Sequence, residues 1–150
     1  MIKLEEVNQS NWQQAVKLSV NDDQKGFLDS ATGIIARGYI YRDCRAKVWT
    51  IINGESVVGL AMVRDLNEEP ACYELQQFMI DRHHQNMGFG TAALDIIINT
   101  LRLERKYSCV EVCVNKNDAA ALHVYQKVGF VDTGYVDEAV PDSLNLVLEL

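Results

Sequence analysis

Gln85-Asn86-Met87-Gly88-Phe89-Gly90 (QNMGFG) is the stretch whose reading decides the fold. It ends an apolar, β-rich run and opens a long segment of helical periodicity. Gly88 and Gly90 let successive backbone N–H groups turn toward one point, because no Cβ stands in the way. The helix that follows adds its unpaired first-turn donors and the positive end of its dipole. A loop built this way cradles phosphate.

Downstream of the loop, Ala92, Ala93, Ile96, Ile97, Thr100 and Leu101 recur at helical spacing, which predicts a long amphipathic helix from Gly88 to Lys106. Cys109 to Val114 reads as a buried strand, Asp118 to Val128 as a helix stopped by Gly129, and the tail as two short strands near Phe130 to Val136 and Leu144 to Leu150. Upstream, Cys72 to Asp81 is a strand leading into the loop. Lys47 to Asn53 and Glu55 to Asp65 are β-rich and meet at Asn53-Gly54, a dipeptide suited to a type I′ hairpin turn. Ile2 to Val7 alternates like an opening strand, Ser10 precedes a helical run through Trp12, Ala15, Val16 and Leu18, and a second helix is expected from Phe27 to Tyr39, broken at Gly33 and Gly38.

A chain of 150 residues, 48% hydrophobic, fits one α/β (α+β) domain over residues 1–150 with a substantial core. Its formal charge of -7 argues against nucleic acid or an anionic membrane as partner, since both need a basic face. A small cationic substrate suits it better. The start of the chain lacks a basic-then-apolar signal pattern and no apolar run approaches the ~20 residues of a membrane span, so a cytoplasmic protein is expected. Cys44, Cys72, Cys109 and Cys113 form no CxxC pair and are expected to be free, mostly buried thiols. His83, His84 and His123 complete no ligand set, and no metal is expected.

The run Gly88-Phe89-Gly90-Thr91-Ala92-Ala93 also matches a dinucleotide fingerprint, with Glu111 about 20 residues on. Context excludes that reading. The stretch Arg82 to Met87 separates the strand from Gly88, antiparallel strands precede it, and about 60 residues remain, too few for a doubly wound sheet.

The strand end Phe78-Met79-Ile80-Asp81, then Gln85-x-x-Gly88-x-Gly90, then Asp118-x-x-Ala121-x-x-x-Tyr125-x-x-x-Gly129-Phe130, resembles the GNAT N-acetyltransferases. Their signatures are Q/R-x-x-G-x-G/A after the fourth strand and N-x-x-A-x-x-x-Y-x-x-x-G-F on a later helix. The resemblance implies a mixed, mostly antiparallel sheet of six to seven strands flanked by about four helices and splayed between strands 4 and 5. Val20-Asn21-Asp22-Asp23-Gln24 and the later VDTGYVDE, Val131 to Glu138, further resemble the bacterial polyamine branch, whose acceptors are spermine, spermidine or diamines.

Acetyl-CoA is the cofactor the resemblance implies. Its pyrophosphate would sit on the N–H groups from Asn86 through Met87, Gly88, Phe89 and Gly90 to Thr91, behind Gln85. Its pantetheine arm would pair like an added strand with Phe78, Met79 and Ile80, whose antiparallel neighbours must splay apart to free that edge. Asp118 and Ala121 would meet the cofactor from the later helix, although Asp118 stands where the family has asparagine and offers no side-chain amide.

The implied reaction is attack of a primary amine on the thioester in a ternary complex. An alkyl ammonium of pKa ~10.4 must first lose a proton, and the departing thiolate must gain one. Tyr125, protonated at neutral pH, is the expected acid. The family glutamate on the fourth strand is replaced by Gln76, so Glu74, one step earlier on the same face, is the expected base, acting through water. Asp22 and Asp23, between the first two helices, would hold a distal ammonium of a diamine. Alternative acceptors are a protein N-terminus, an amino acid or an antibiotic amine. Gln76 and Asp118 also admit a non-catalytic acyl-CoA sensor, and a partner-binding module without cofactor is a third class. Homodimers are frequent in the family, and the C-terminal strands could supply the interface.

Overall fold

The hairpin at the centre of the chain closes tightly: Asn53 lies opposite Ser56, and Gly54 takes φ +64°. The turn residues are therefore Gly54 and Glu55, one position beyond the expected pair. This computed structural model describes residues Met1–Leu150. Its strands β1 (Ile2–Glu6), β2 (Lys47–Asn53), β3 (Ser56–Leu66), β4 (Cys72–Ile80), β5 (Cys109–Asn115), β6 (Val131–Asp132) and β7 (Ser143–Glu149) form one seven-stranded sheet in the order β1-β2-β3-β4-β5-β7-β6. Helices α3 (Phe89–Glu104) and α4 (Ala119–Val128) cover one face, and α1 (Trp12–Ala15) and α2 (Ala31–Ile40) the other.

All strand pairs are antiparallel except β4 with β5, which run parallel. These two pair only at Tyr73 with Val110 and Glu74 with Glu111, and β4 continues to Ile80 without its neighbour. This is the expected splay, but the strand that parts from β4 is a parallel one. The crossover that makes it parallel is α3, whose Leu94, Ile97, Ile98 and Leu101 are buried against the sheet. Each such burial stabilises by about 1.5–3 kcal/mol.

A bulge sets the two faces of β4. Met62 pairs with Gln77 and Val63 with Leu75, leaving Gln76 as the extra residue. Before it, Tyr73 and Leu75 enter the core beneath α3 and α4; after it, Phe78 and Ile80 take that side and Met79 joins the core beneath α1 and α2. The side-chain alternation has shifted by one residue.

The helices on the second face differ from expectation. The first spans only Trp12–Ala15. The second starts at Ala31, because the Ser30 hydroxyl accepts the Gly33 N–H at 3.0 Å and caps it there. Gly33 and Gly38 do not break α2. A Cβ at Gly33 would collide with the Asp29 carboxylate folded across the first turn, and one at Gly38 would lie 2.6 Å from Val48 Cγ2. Both glycines allow close approach. The strand expected from Phe130 to Val136 shrinks to Val131–Asp132, because Asp132 Oδ1 accepts the Gly134 N–H at 2.8 Å and Gly134 turns the chain at φ +78°.

Candidate active site

The gap left where β5 departs from β4 opens into a cavity of about 360 Å³. Phe78, Met79 and Ile80 form one wall, the loop from Gln85 to Thr91 the end, and α4 the opposite wall through Asp118, Ala121, Val124 and Tyr125. Two segments far apart in sequence thus meet across one slot.

Gly88 sits at φ +82° and Asn86 at φ +63°, so two residues of the loop are left-handed. Their turn delivers the chain into α3, whose first backbone bond runs from Ala92 N–H to Gly88 C=O at 3.1 Å. The N–H groups of Phe89, Gly90 and Thr91 therefore have no acceptor within the helix, an arrangement suited to an anion. A Cβ added at Gly90 would stand in ordinary contact with Ile80, Phe78 and Val124, the nearest at 3.7 Å, so the loop lies close to both walls. A phosphate-bearing cofactor with a slender amide arm fits this donor set and this slot.

The side chain of Gln85 turns away from the phosphate cradle. Its Nε2 donates to Ile80 O at 3.0 Å and to Gln24 Oε1 at 2.9 Å, and its Oε1 accepts from Gln24 Nε2 and Asn21 Nδ2, each at 3.2 Å. Asp81 does the same work one turn earlier. Its Oδ1 accepts the Ser19 N–H at 2.9 Å while Ser19 O accepts the Arg82 N–H at 2.8 Å. Burial would raise the Asp81 carboxyl, but the N–H groups of Ser19 and His83 and the His84 ring outweigh it and hold it low. The connector between α1 and α2 is thereby tied to the loop, and its Val20, Gln24 and Leu28 close a third side of the cavity.

Tyr125 is 5% exposed, with its ring edge-on to Phe130 at 5.5 Å and tilted against Phe78 at 6.2 Å. It belongs both to the core and to the cavity lining. Burial raises its hydroxyl well above the ordinary phenol, and the charge of Asp118 adds to this. The group is a protonated donor at neutral pH. Asp118 caps α4, its Oδ1 accepting the Ala121 N–H at 3.2 Å. Burial raises its carboxyl, the Ala121 bond opposes this, and the charge of Asp23 on the facing connector raises it further.

Five residues singled out on the sequence have side chains outside the cavity lining. Glu74 lies opposite Arg64 on β3 and is held by it at 3.0 Å, outside the cavity; the expected base is thus committed to an ion pair. Gln76 Oε1 accepts Arg37 Nη1 at 3.2 Å on the α2 face. Asp22 is exposed and pairs with Lys25 at 2.9 Å, and Asp23 reaches the site only through its charge on Asp118. Met87 points outward and is 60% exposed.

The sequence reading assigned no site role to Gln24, Leu28, His84, His123, Val124 or Lys127, all of which line the cavity. Ala120, Ala121, Val124 and Lys127 follow helical spacing along α4, so that stripe was a usable signal. His84 is oriented by Asp81, its Nδ1 lying 3.3 Å from Oδ2. All four cysteines are free, as expected; Cys72 and Cys109 are buried, Cys44 is half-buried and Cys113 is exposed. No helix is long and apolar enough to cross a membrane, and no three His, Cys, Asp or Glu side chains come together as a metal site.

The profile of the acetyltransferase (GNAT) family matches residues 7–130. A probable spermine N(1)-acetyltransferase of Bacillus subtilis subsp. natto (strain BEST195) is 23% identical over 139 residues, 91% of each chain. Among solved structures, the spermidine N-acetyltransferase of Vibrio cholerae in complex with CoA and spermine superposes with a TM-score of 0.76 at 15% identity, covering 99% of this chain and 95% of that one. The aminoglycoside acetyltransferase AAC(6')-Ib in complex with coenzyme A superposes with a TM-score of 0.81 at 9% identity, with the same coverage.

Proposed function

The chain belongs to the acetyltransferase (GNAT) family, and from that premise we propose that it acts as a single domain transferring acetyl from acetyl-CoA directly to a primary amine of a polyamine or diamine. Acetyl-CoA supplies the activated acyl group. The chain's own residues bind, orient and exchange protons around it. The N–H groups behind Gly88 receive the pyrophosphate, and the free edge of Phe78 to Ile80 offers backbone partners to the amide-bearing arm. Tyr125, buried and protonated beside the slot, gives its proton to the departing thiolate.

The observation that carries the polyamine reading is the Asp118 carboxylate lining the cavity, facing a connector whose Asp23 charge adds to the negative potential there. Such a potential favours a cation. Several ammonium groups on one molecule strengthen that attraction, and one of them is presented at the slot. The acceptors named for the Bacillus relative and carried by the Vibrio structure support the same class.

A free-thiol assay of CoA release tests this with spermidine, spermine and putrescine beside an aminoglycoside, free amino acids and peptides with free N-termini. Turnover on polyamines at low acceptor concentration supports the proposal. Strong turnover on peptides or aminoglycosides with none on polyamines overturns it. The proposal includes a homodimer through the C-terminal strands, where Val131, Tyr135 and Val136 stand exposed on and beyond edge strand β6. Sedimentation showing a monomer at every concentration would remove that part.

A further inference from the structure

Transfer to an ammonium needs a group that takes its proton, and the strand position where the family resemblance places one holds Gln76, an amide. Glu74 is held by Arg64 and does not reach the cavity. Among the side chains lining the cavity there is one carboxylate, Asp118. We infer that Asp118 is the catalytic base of this enzyme, accepting the proton of the acceptor amine opposite the acid Tyr125. The inference rests on the acetyltransferase reading and adds to it a residue that the family motif gives as asparagine.

The geometry follows from one helix. Asp118, Ala121 and Tyr125 fall on one stripe of α4, and helical side chains lean toward the N-terminus, so the Tyr125 hydroxyl is carried back toward Asp118. The influence of the Asp118 charge on Tyr125 is the expected result. The Ala121 N–H occupies Oδ1 alone of a carboxylate that lines the cavity. The charged and titratable groups around it are Asp23 from the connector, His84 from the loop, and His123, Tyr125 and Lys127 on α4 itself. Burial and Asp23 raise its carboxyl, which brings it closer to the range where a base works at neutral pH.

The proton balance closes with these two groups. Asp118 takes one proton from the ammonium, and the freed lone pair forms the C–N bond. As the C–S bond breaks, Tyr125 gives its proton to the thiolate. The second nitrogen proton, lost as the amide forms, restores Tyr125, and Asp118 returns its proton to solvent. One ammonium and one thioester give one amide, one thiol and one released proton.

Asp118→Asn is the deciding variant, because asparagine still caps the helix and the fold is retained. Its kcat on the best polyamine should fall about 100-fold at pH 7, while acetyl-CoA binding by calorimetry is not weakened, since asparagine restores the side-chain amide. The deficit should shrink as pH rises and free amine becomes abundant, and shrink likewise at pH 7 with an acceptor of low basicity. Carboxyl NMR of the free protein should show one aspartate titrating above the ordinary range, absent from the variant. Unchanged kcat, or an equal loss at every pH together with weakened acetyl-CoA binding, overturns the assignment. Wild-type turnover is the control: its absence with every amine removes the acetyltransferase reading and the inference with it, whereas wild-type turnover that Asp118→Asn leaves intact removes the inference alone.

Discussion

Gln24 and Gln85 exchange two side-chain hydrogen bonds, at 2.9 and 3.2 Å, across 61 positions of sequence. One belongs to the connector that closes the cavity and the other to the loop that turns into α3. The pair makes the acceptor side and the cofactor side a single rigid rim.

Gln24→Ala should therefore loosen the connector without touching the phosphate cradle. Losing hydrogen bonds of this kind costs about 1 kcal/mol, so the KM for the amine should rise roughly 3- to 10-fold. Calorimetry should find acetyl-CoA affinity unchanged. If instead acetyl-CoA affinity alone drops, the connector serves the cofactor and not the acceptor.

Tyr125→Phe removes one hydroxyl and keeps the ring contacts with Phe78 and Phe130. Turnover should fall about 100-fold with the melting temperature and acetyl-CoA affinity preserved. Full turnover with intact cofactor binding would rule the acid role out.

Gly88→Ala probes the backbone of the cradle. An added Cβ there meets no heavy atom within 4 Å, so its cost is conformational alone, from φ +82°. Left-handed alanine costs about 1–2 kcal/mol, enough to weaken acetyl-CoA by about tenfold if the loop relaxes out of that conformation. The circular dichroism of the fold should not change, and unchanged cofactor affinity would mean that the loop does not hold the phosphates.

Asp65 anchors the far end of the sheet. Its carboxylate receives Arg45 Nε at 2.8 Å, Lys106 Nζ at 2.9 Å and the Tyr107 hydroxyl at 3.0 Å. Burial alone would raise its carboxyl, but these three partners together hold it at about 2, against an ordinary 3.8. The folded state therefore binds fewer protons than the unfolded chain. The stability this lends is complete above pH ~4 and is lost as pH falls toward ~2. Asp65→Asn should cost about 3 kcal/mol in urea at neutral pH and flatten the acid limb over that window.

Much of this arrangement was legible because it is local. The glycine loop, the periodic run into α3 and the Asp118 to Phe130 motif announce themselves within short windows, and together they located the slot. What escaped depends on contacts distant in sequence. Val48, which needs the room of a missing Cβ at Gly38, arrives from β2, so a helix-compatible glycine read as a break. Glu74 looked available because the alternation of a strand gives its face but not its partner, and Arg64 arrives from the neighbouring strand. Gln24 was invisible because its role exists only once Gln85 stands beside it.

The extra residue in β4 has a consequence for how this strand can change. Because Gln76 has no opposite number on β3, it adds a residue to the strand while Tyr73, Leu75, Phe78 and Ile80 all keep to the side of α3. Substitutions up to Leu75 are judged by the core under α3, whereas Phe78 and Ile80 are judged also by the slot they line. Removing that single residue would restore the plain alternation and leave Phe78 and Ile80 on the face they already hold, at the loss of the bond from Arg37.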